Sequence, residues 1–170
     1  MLYPDEIFSA YIRPKYEPYR LALPDPTVLP PDADIIWDTF LGGIKDTAIM
    51  FTCDYEDPTG SFLGGGRINW DASVTVYVMF LYLGEGKPAK GKEFAKFFEK
   101  YLIVTQPVNE LKTAGIQEFK PTRLVVSQGP PPFRSLGPIT QGVQNPQTDL
   151  WSLYINLAVK YIQAANAPPP

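Results

Sequence analysis

The run Gly86-Lys87-Pro88-Ala89-Lys90-Gly91-Lys92 has the glycine and lysine spacing of a phosphate loop, in which backbone N–H groups cradle phosphates and a lysine neutralises them. Two residue types work against that chemistry. Glu93 stands where a Ser or Thr should hold magnesium, and a carboxylate there repels the phosphates the loop would bind. Pro88 removes a backbone donor. No apolar strand ending in Asp offers a second magnesium ligand, so the run is expected to be a basic, solvated turn from a strand into a helix.

Carboxylates gather at Asp54, Glu56 and Asp57 and again at Asp32, Asp34 and Asp38. Paired carboxylates serve glycoside hydrolysis or hold hard cations, but neither group has the Asp-x-Asp-x-Asp-Gly spacing of a calcium loop. They are expected as solvated loop charge. Cys53 is the only cysteine, so no intrachain disulfide or thiolate metal cluster can form, and its apolar flank reads as that of a small buried hydrophobe. The chain contains no histidine, which excludes Ser-His-Asp and Cys-His hydrolases and most zinc sites. Trp37, Trp70 and Trp151 offer stacking surfaces for sugars or bases, or simple packing, with Trp70 and Trp151 expected at strand ends where an indole keeps its N–H wet. No catalytic, cofactor-binding or metal-ligating residue is assigned, and no cofactor.

The 170 residues are enough for one domain with a real core. Charged residues make up 19% and aromatics 14%, a balance that leaves surface for a partner. With a net charge of -3 and scattered Lys and Arg, the chain lacks the basic stripe of a nucleic-acid binder. Its start carries Asp5 and Glu6 where a signal peptide needs a basic then apolar run, and no stretch has the length of a membrane span. Residence in the cytoplasm, or in a particle assembled there, is the expectation.

Alternation marks the strands. Trp151, Leu153, Ile155, Leu157, Val159 and Tyr161 alternate with Ser152, Tyr154, Asn156, Ala158 and Lys160. A second long strand is predicted over 72–83, apolar on both faces and therefore central or covered by a partner. Weaker strands are expected over 47–55, 34–40 and 116–127, the last placed at an edge or a bulge by Pro121. Gly64-Gly65-Gly66 is expected in a hairpin loop that begins near Asp57. Phe94, Phe97, Phe98, Tyr101 and Leu102 share one face of a helix over 90–103, and a short helix over 108–113 ends at Gly115.

Nineteen prolines concentrate in 4–31, 129–146 and 168–170. Proline fixes φ and donates no hydrogen bond, so these segments are expected to be extended or turning connectors. The first is either a stiff loop or an arm that reaches onto a neighbouring subunit. The fold class is then α+β, a small, mostly antiparallel sheet with one amphipathic helix on one face. Its divisions are a proline-rich N-terminal arm over 1–33, a core over 34–163 and a proline-rich tail over 164–170.

Trp70-Asp71-Ala72 leading into an alternating strand, then an amphipathic helix, then Asp149-Leu150-Trp151-Ser152 opening a last alternating strand, resembles the tail-terminator proteins of long-tailed phages. That resemblance implies a structural virion protein of the tail or neck, assembled in the host cytoplasm. Its small α+β subunits form a ring, generally a hexamer, on the tail tube, and present a surface to the head-side connector. The partners so implied are other copies of the chain, the tube protein and the connector, with no membrane and no specific nucleic-acid sequence. Alternatives from other classes are a nucleotide-binding or carboxylate-based enzyme and a carbohydrate-binding baseplate module.

Overall fold

The computed structural model describes residues 3–38, 47–54, 60–62, 67–82, 88–103, 107–128 and 150–164. In chain order they form helix α1 (Pro4–Leu21), two 3-10 turns (Pro26–Val28 and Asp32–Asp34) and strands β1 (Ile35–Trp37), β2 (Thr47–Asp54), β3 (Gly60–Phe62) and β4 (Arg67–Leu81). Helices α2 (Ala89–Leu102) and α3 (Asn109–Thr113) follow, then strands β5 (Ile116–Gln128) and β6 (Leu150–Ala164). The class is α+β.

One six-stranded sheet has the order β1-β2-β4-β6-β5, with β3 paired to the extension of β4 beyond β2. All pairs are antiparallel except β1 with β2. The two alternating segments are the central pair, β4 and β6, matched from Arg67↔Ala164 to Leu81↔Leu150. β4 begins at Arg67, earlier than its β-branched run announces, because β3 and the end of β6 pair with residues 67–70. Strand β5 is an edge strand, and its register with β6 shifts between Pro121 and Arg123. The edge and the bulge expected from Pro121 are therefore both present. A proline has no N–H for a ladder and is tolerated where the strand is already interrupted or unpaired.

Val74, Val76, Val78 and Phe80 of β4 point with Ile49 and Phe51 of β2 and Leu153, Ile155, Leu157 and Val159 of β6 into the main core. Helix α2 lays Phe94, Phe97, Phe98 and Leu102 on that face, the ridge its 3.6-residue period predicts. Gly91 lets it settle: a Cβ there would lie 3.0 Å from Phe80 Cζ and 3.2 Å from Val126 Cγ1. After α3 the chain turns at Gly115, whose φ of 108° favours glycine and whose carbonyl accepts a hydrogen bond of 2.9 Å from Ile162 N.

The extended conformation expected for the N-terminal prolines is corrected by α1, an 18-residue helix. Ile7, Phe8, Tyr11, Ile12 and Tyr16 are buried in the same core as α2, so two long helices cover the sheet face where one was expected. Tyr16 stands at the junction, 5.9 Å from the Trp37 ring, 5.5 Å from Phe97 and 6.2 Å from Phe94. Its hydroxyl donates to the Pro30 carbonyl at 2.7 Å. Pro14 and Pro18 are exposed, and the carbonyls they deprive of a partner belong to Ala10 and Pro14, also on the exposed side. On that side the freed carbonyls are open to water, so the apolar stripe outweighs the local helix-breaking preference. Because this stripe is enclosed by its own chain, it is not an arm held out for a neighbour.

Candidate functional site

Much of the run that imitates a phosphate loop is committed to folding. Gly86 and Lys87 lie outside the described residues. Pro88 is the N-cap residue of α2, Lys90 Nζ donates to the Leu81 carbonyl at 3.1 Å, and Gly91 is enclosed against Phe80. Glu93 pairs with Lys96 at 2.5 Å, one turn further along the helix. These contacts join α2 to the end of β4, and they account for Gly91 and Lys90 without a ligand.

The carboxylates separate into two cases. Asp54 ends β2, while Glu56 and Asp57 lie outside the described residues. Asp32, Asp34 and Asp38 flank β1. Asp32 Oδ1 accepts from Trp37 Nε1 at 2.9 Å. Asp38 takes a φ of 59° and accepts from Ser9 Oγ at 2.8 and 3.0 Å on its two oxygens. Helix α1 brings Asp5 and Glu6 to the same place, so that Asp5, Glu6, Ser9, Arg13, Asp38 and Phe51 line an open cleft of about 450 Å³. Burial pushes the Asp5 carboxyl above its ordinary value, with the Glu6 and Asp38 charges adding to it and backbone N–H groups of the helix start offsetting part. The sequence spacing gave no hint of this junction, because Asp5 and Asp38 meet only through the helix that the prolines conceal. Among the described residues no group of three or more His, Cys, Asp or Glu side chains is placed to hold a metal ion.

The tryptophans are not one platform. Trp37 is buried in the core, and Trp70 and Trp151 are half-buried against it. Trp70 pairs with Tyr161 while Trp151 pairs with Phe80, which puts them ten residues apart along β6, about 33 Å. Trp70 lies inside β4, not ahead of it, and its Nε1 is enclosed with no partner among the described residues, which corrects the wet strand-end placement. Cys53 is half-buried and packs on the main core.

What remains is the sheet face away from the helices. At one end of it Ile36, Ala48, Met50, Tyr77, Met79, Leu81 and Leu150 form a separate apolar cluster, to which no helical residue among those described contributes. In the middle, Asn156 Nδ2 donates to Ser73 Oγ at 2.9 Å and to Thr75 Oγ1 at 3.1 Å, while Thr122 Oγ1 donates to Asn156 Oδ1 at 2.7 Å. Beside this ladder, Tyr77 and Tyr154 meet edge to face at 5.5 Å, with the Arg123 guanidinium 5.8 Å from the Tyr154 ring. At the far end Lys160 pairs with Glu118 at 3.7 Å. The face is thus graded from apolar through aromatic and polar to charged. The double-faced character expected of β4 has a central position as its cause and this surface as its consequence.

No helix among the described residues is long and apolar enough to cross a membrane. No family model matches the sequence, and no curated protein matches it. Among solved structures the chain is similar to the sheath/tube terminator of an extracellular contractile injection system, PVC, in its extended state. The identity is 12% and the TM-score 0.37, over 99% of this chain and 61% of the other, so the chain spans about three-fifths of that protein's length. A likeness of that degree carries no argument about what the chain does.

Proposed function

We propose that this chain is a structural, non-enzymatic subunit that acts by assembly: a ring at the end of a phage-type tail tube, between the tube and the head-side connector. The observation that carries the reading is the graded sheet face. It collects seven apolar side chains at one end and an aromatic pair beside a polar ladder, with no helix laid over that cluster among the described residues. Ala48, Met79 and Leu150 are already buried and the other four half-buried, so what the face offers a partner is its half-buried rim with the Tyr77–Tyr154 pair and Arg123, residue types enriched in protein contact surfaces. The packing roles found for Lys90 and Gly91 support the same reading, because they account for two residues of the run that imitates a phosphate loop. The order of elements that resembles tail terminators supplies the finer identity, with the tube protein and connector as partners.

Electron microscopy of the purified chain, alone and mixed with tubes assembled from the tube protein encoded in the same genome, tests it. Closed rings seated on tube ends are expected. A chain that leaves tube ends bare and forms no ring in their presence refutes the reading. Saturable binding of Mg-ATP that is lost in Lys92→Ala would replace it with the nucleotide-binding alternative.

A further inference from the structure

The two outer edges of the sheet carry opposite charge. At the β1 edge Asp5, Glu6 and Asp38 line one cleft in which Arg13 is the only cation among the described residues, and Asp32 and Asp34 lie at the start of the same strand. Burial, and to a smaller extent the neighbouring Glu6 and Asp38 charges, raise the affinity of Asp5 for a proton. At the β5 edge the balance is reversed. Glu110 and Glu118 are already held by lysines of other elements, Lys15 at 3.0 Å and Lys160 at 3.7 Å. Lys112, Lys120 and Arg123 are exposed and have no carboxylate partner among the described residues.

The sheet order places β1 and β5 at opposite ends of one sheet. We infer that the acidic β1 edge of one copy docks against the basic β5 edge of the next, a head-to-tail contact whose occupant is a second copy of this chain. This rests on the ring-assembly reading and names the surfaces that meet in it. A contact between two different edges is heterologous, so repeating it closes a ring or grows a filament. Main-chain pairing contributes little to the joint. β1 offers three residues, and β5 is broken by two register shifts and by Pro121. Such edges are poor templates for a ladder, so side-chain charge carries the fit and the association is salt-sensitive.

The test uses exposed residues on each edge of the full chain. One variant carries Glu6→Lys and Asp34→Lys, the other Lys120→Glu and Arg123→Glu. Sedimentation velocity at about 0.1 M salt follows self-association, and near-UV circular dichroism checks that each variant is folded. Each variant alone is expected to associate about tenfold or more weakly than the unaltered chain, because one of its two edges no longer complements the other. An equimolar mixture regains association, since the unaltered β5 edge of one variant then meets the unaltered β1 edge of the other. The unaltered chain is expected to dissociate as salt rises to about 1 M, whereas an association driven by the apolar face would persist.

The inference is overturned if either folded variant associates as the unaltered chain does, if the mixture stays apart, or if the unaltered chain never self-associates. Should charge reversal unfold the chain, Lys120→Gln with Arg123→Gln gives the same reading, and unchanged salt dependence in that variant overturns it. Rings that survive reversal refute the edge assignment and leave the proposed function standing. A chain that neither self-associates nor caps tubes refutes both.

Discussion

Gly91→Ala separates a glycine kept for packing from one kept for a phosphate. In an exposed helix interior the change stabilises by about 1 kcal/mol, because alanine loses less backbone freedom on folding. Here the added methyl would stand 3.0 Å from Phe80 Cζ and 3.2 Å from Val126 Cγ1, closer than ordinary contact. The Phe80 ring is fully buried and cannot move into solvent. Overpacking of this kind costs about 1 to 3 kcal/mol, so the clash outweighs the propensity gain and the variant is less stable by roughly 1 kcal/mol. Replacing Phe80 with leucine removes the ring tip. In that background Gly91→Ala should become stabilising, giving a coupling of about 1 to 2 kcal/mol between the two sites. Urea unfolding followed by far-UV circular dichroism on all four proteins of the cycle measures it. If Gly91→Ala stabilises the unaltered chain, or the two changes add within about 0.5 kcal/mol, α2 is not seated on β4 in this way.

Further predictions concern α1 and the core. Tyr16→Phe keeps the ring and removes the hydroxyl that serves the buried Pro30 carbonyl, and is expected to cost about 1 to 3 kcal/mol in urea unfolding. No loss would mean that α1 does not dock on the 26–30 turn. Phe97→Ala should cost about 3 to 5 kcal/mol, since Phe97 is fully buried, and near-neutral behaviour would remove the aromatic ridge from the core. Burial raises the Asp5 carboxyl in the folded chain above its ordinary value of 3.8. Its contribution to stability is therefore present below that value and is lost as pH rises through the folded value. Asp5→Asn should raise thermal stability at neutral pH and lose that advantage below about pH 3.8. An advantage equal at both pH values would show that the carboxyl is not desolvated.

The elements legible in the sequence are those whose side chains repeat a local period. The alternation over 151–161 and the β-branched run that begins at Val74 needed no partner to be read, because a strand buried on one face demands period two wherever it sits. The Phe94–Leu102 stripe was equally plain. Even Pro121 located its strand, because a missing donor is intolerable in the middle of a regular ladder.

Only the tertiary structure decided what the prolines near the start would do. Pro14 and Pro18 argue locally for a broken chain, yet Phe8, Ile12 and Tyr16 bury more than those prolines disturb when a sheet and α2 are there to receive them. That helix carries Asp5 and Glu6 to β1. Sheet order then sets β1 and β5 at opposite edges and so creates an acidic side and a basic side in a chain whose charges look scattered along the sequence. Sequence patterns record which faces are apolar because burial acts residue by residue. They do not record which elements become neighbours, because that depends on contacts between segments far apart in the chain, and it is there that the candidate surfaces of this protein are made.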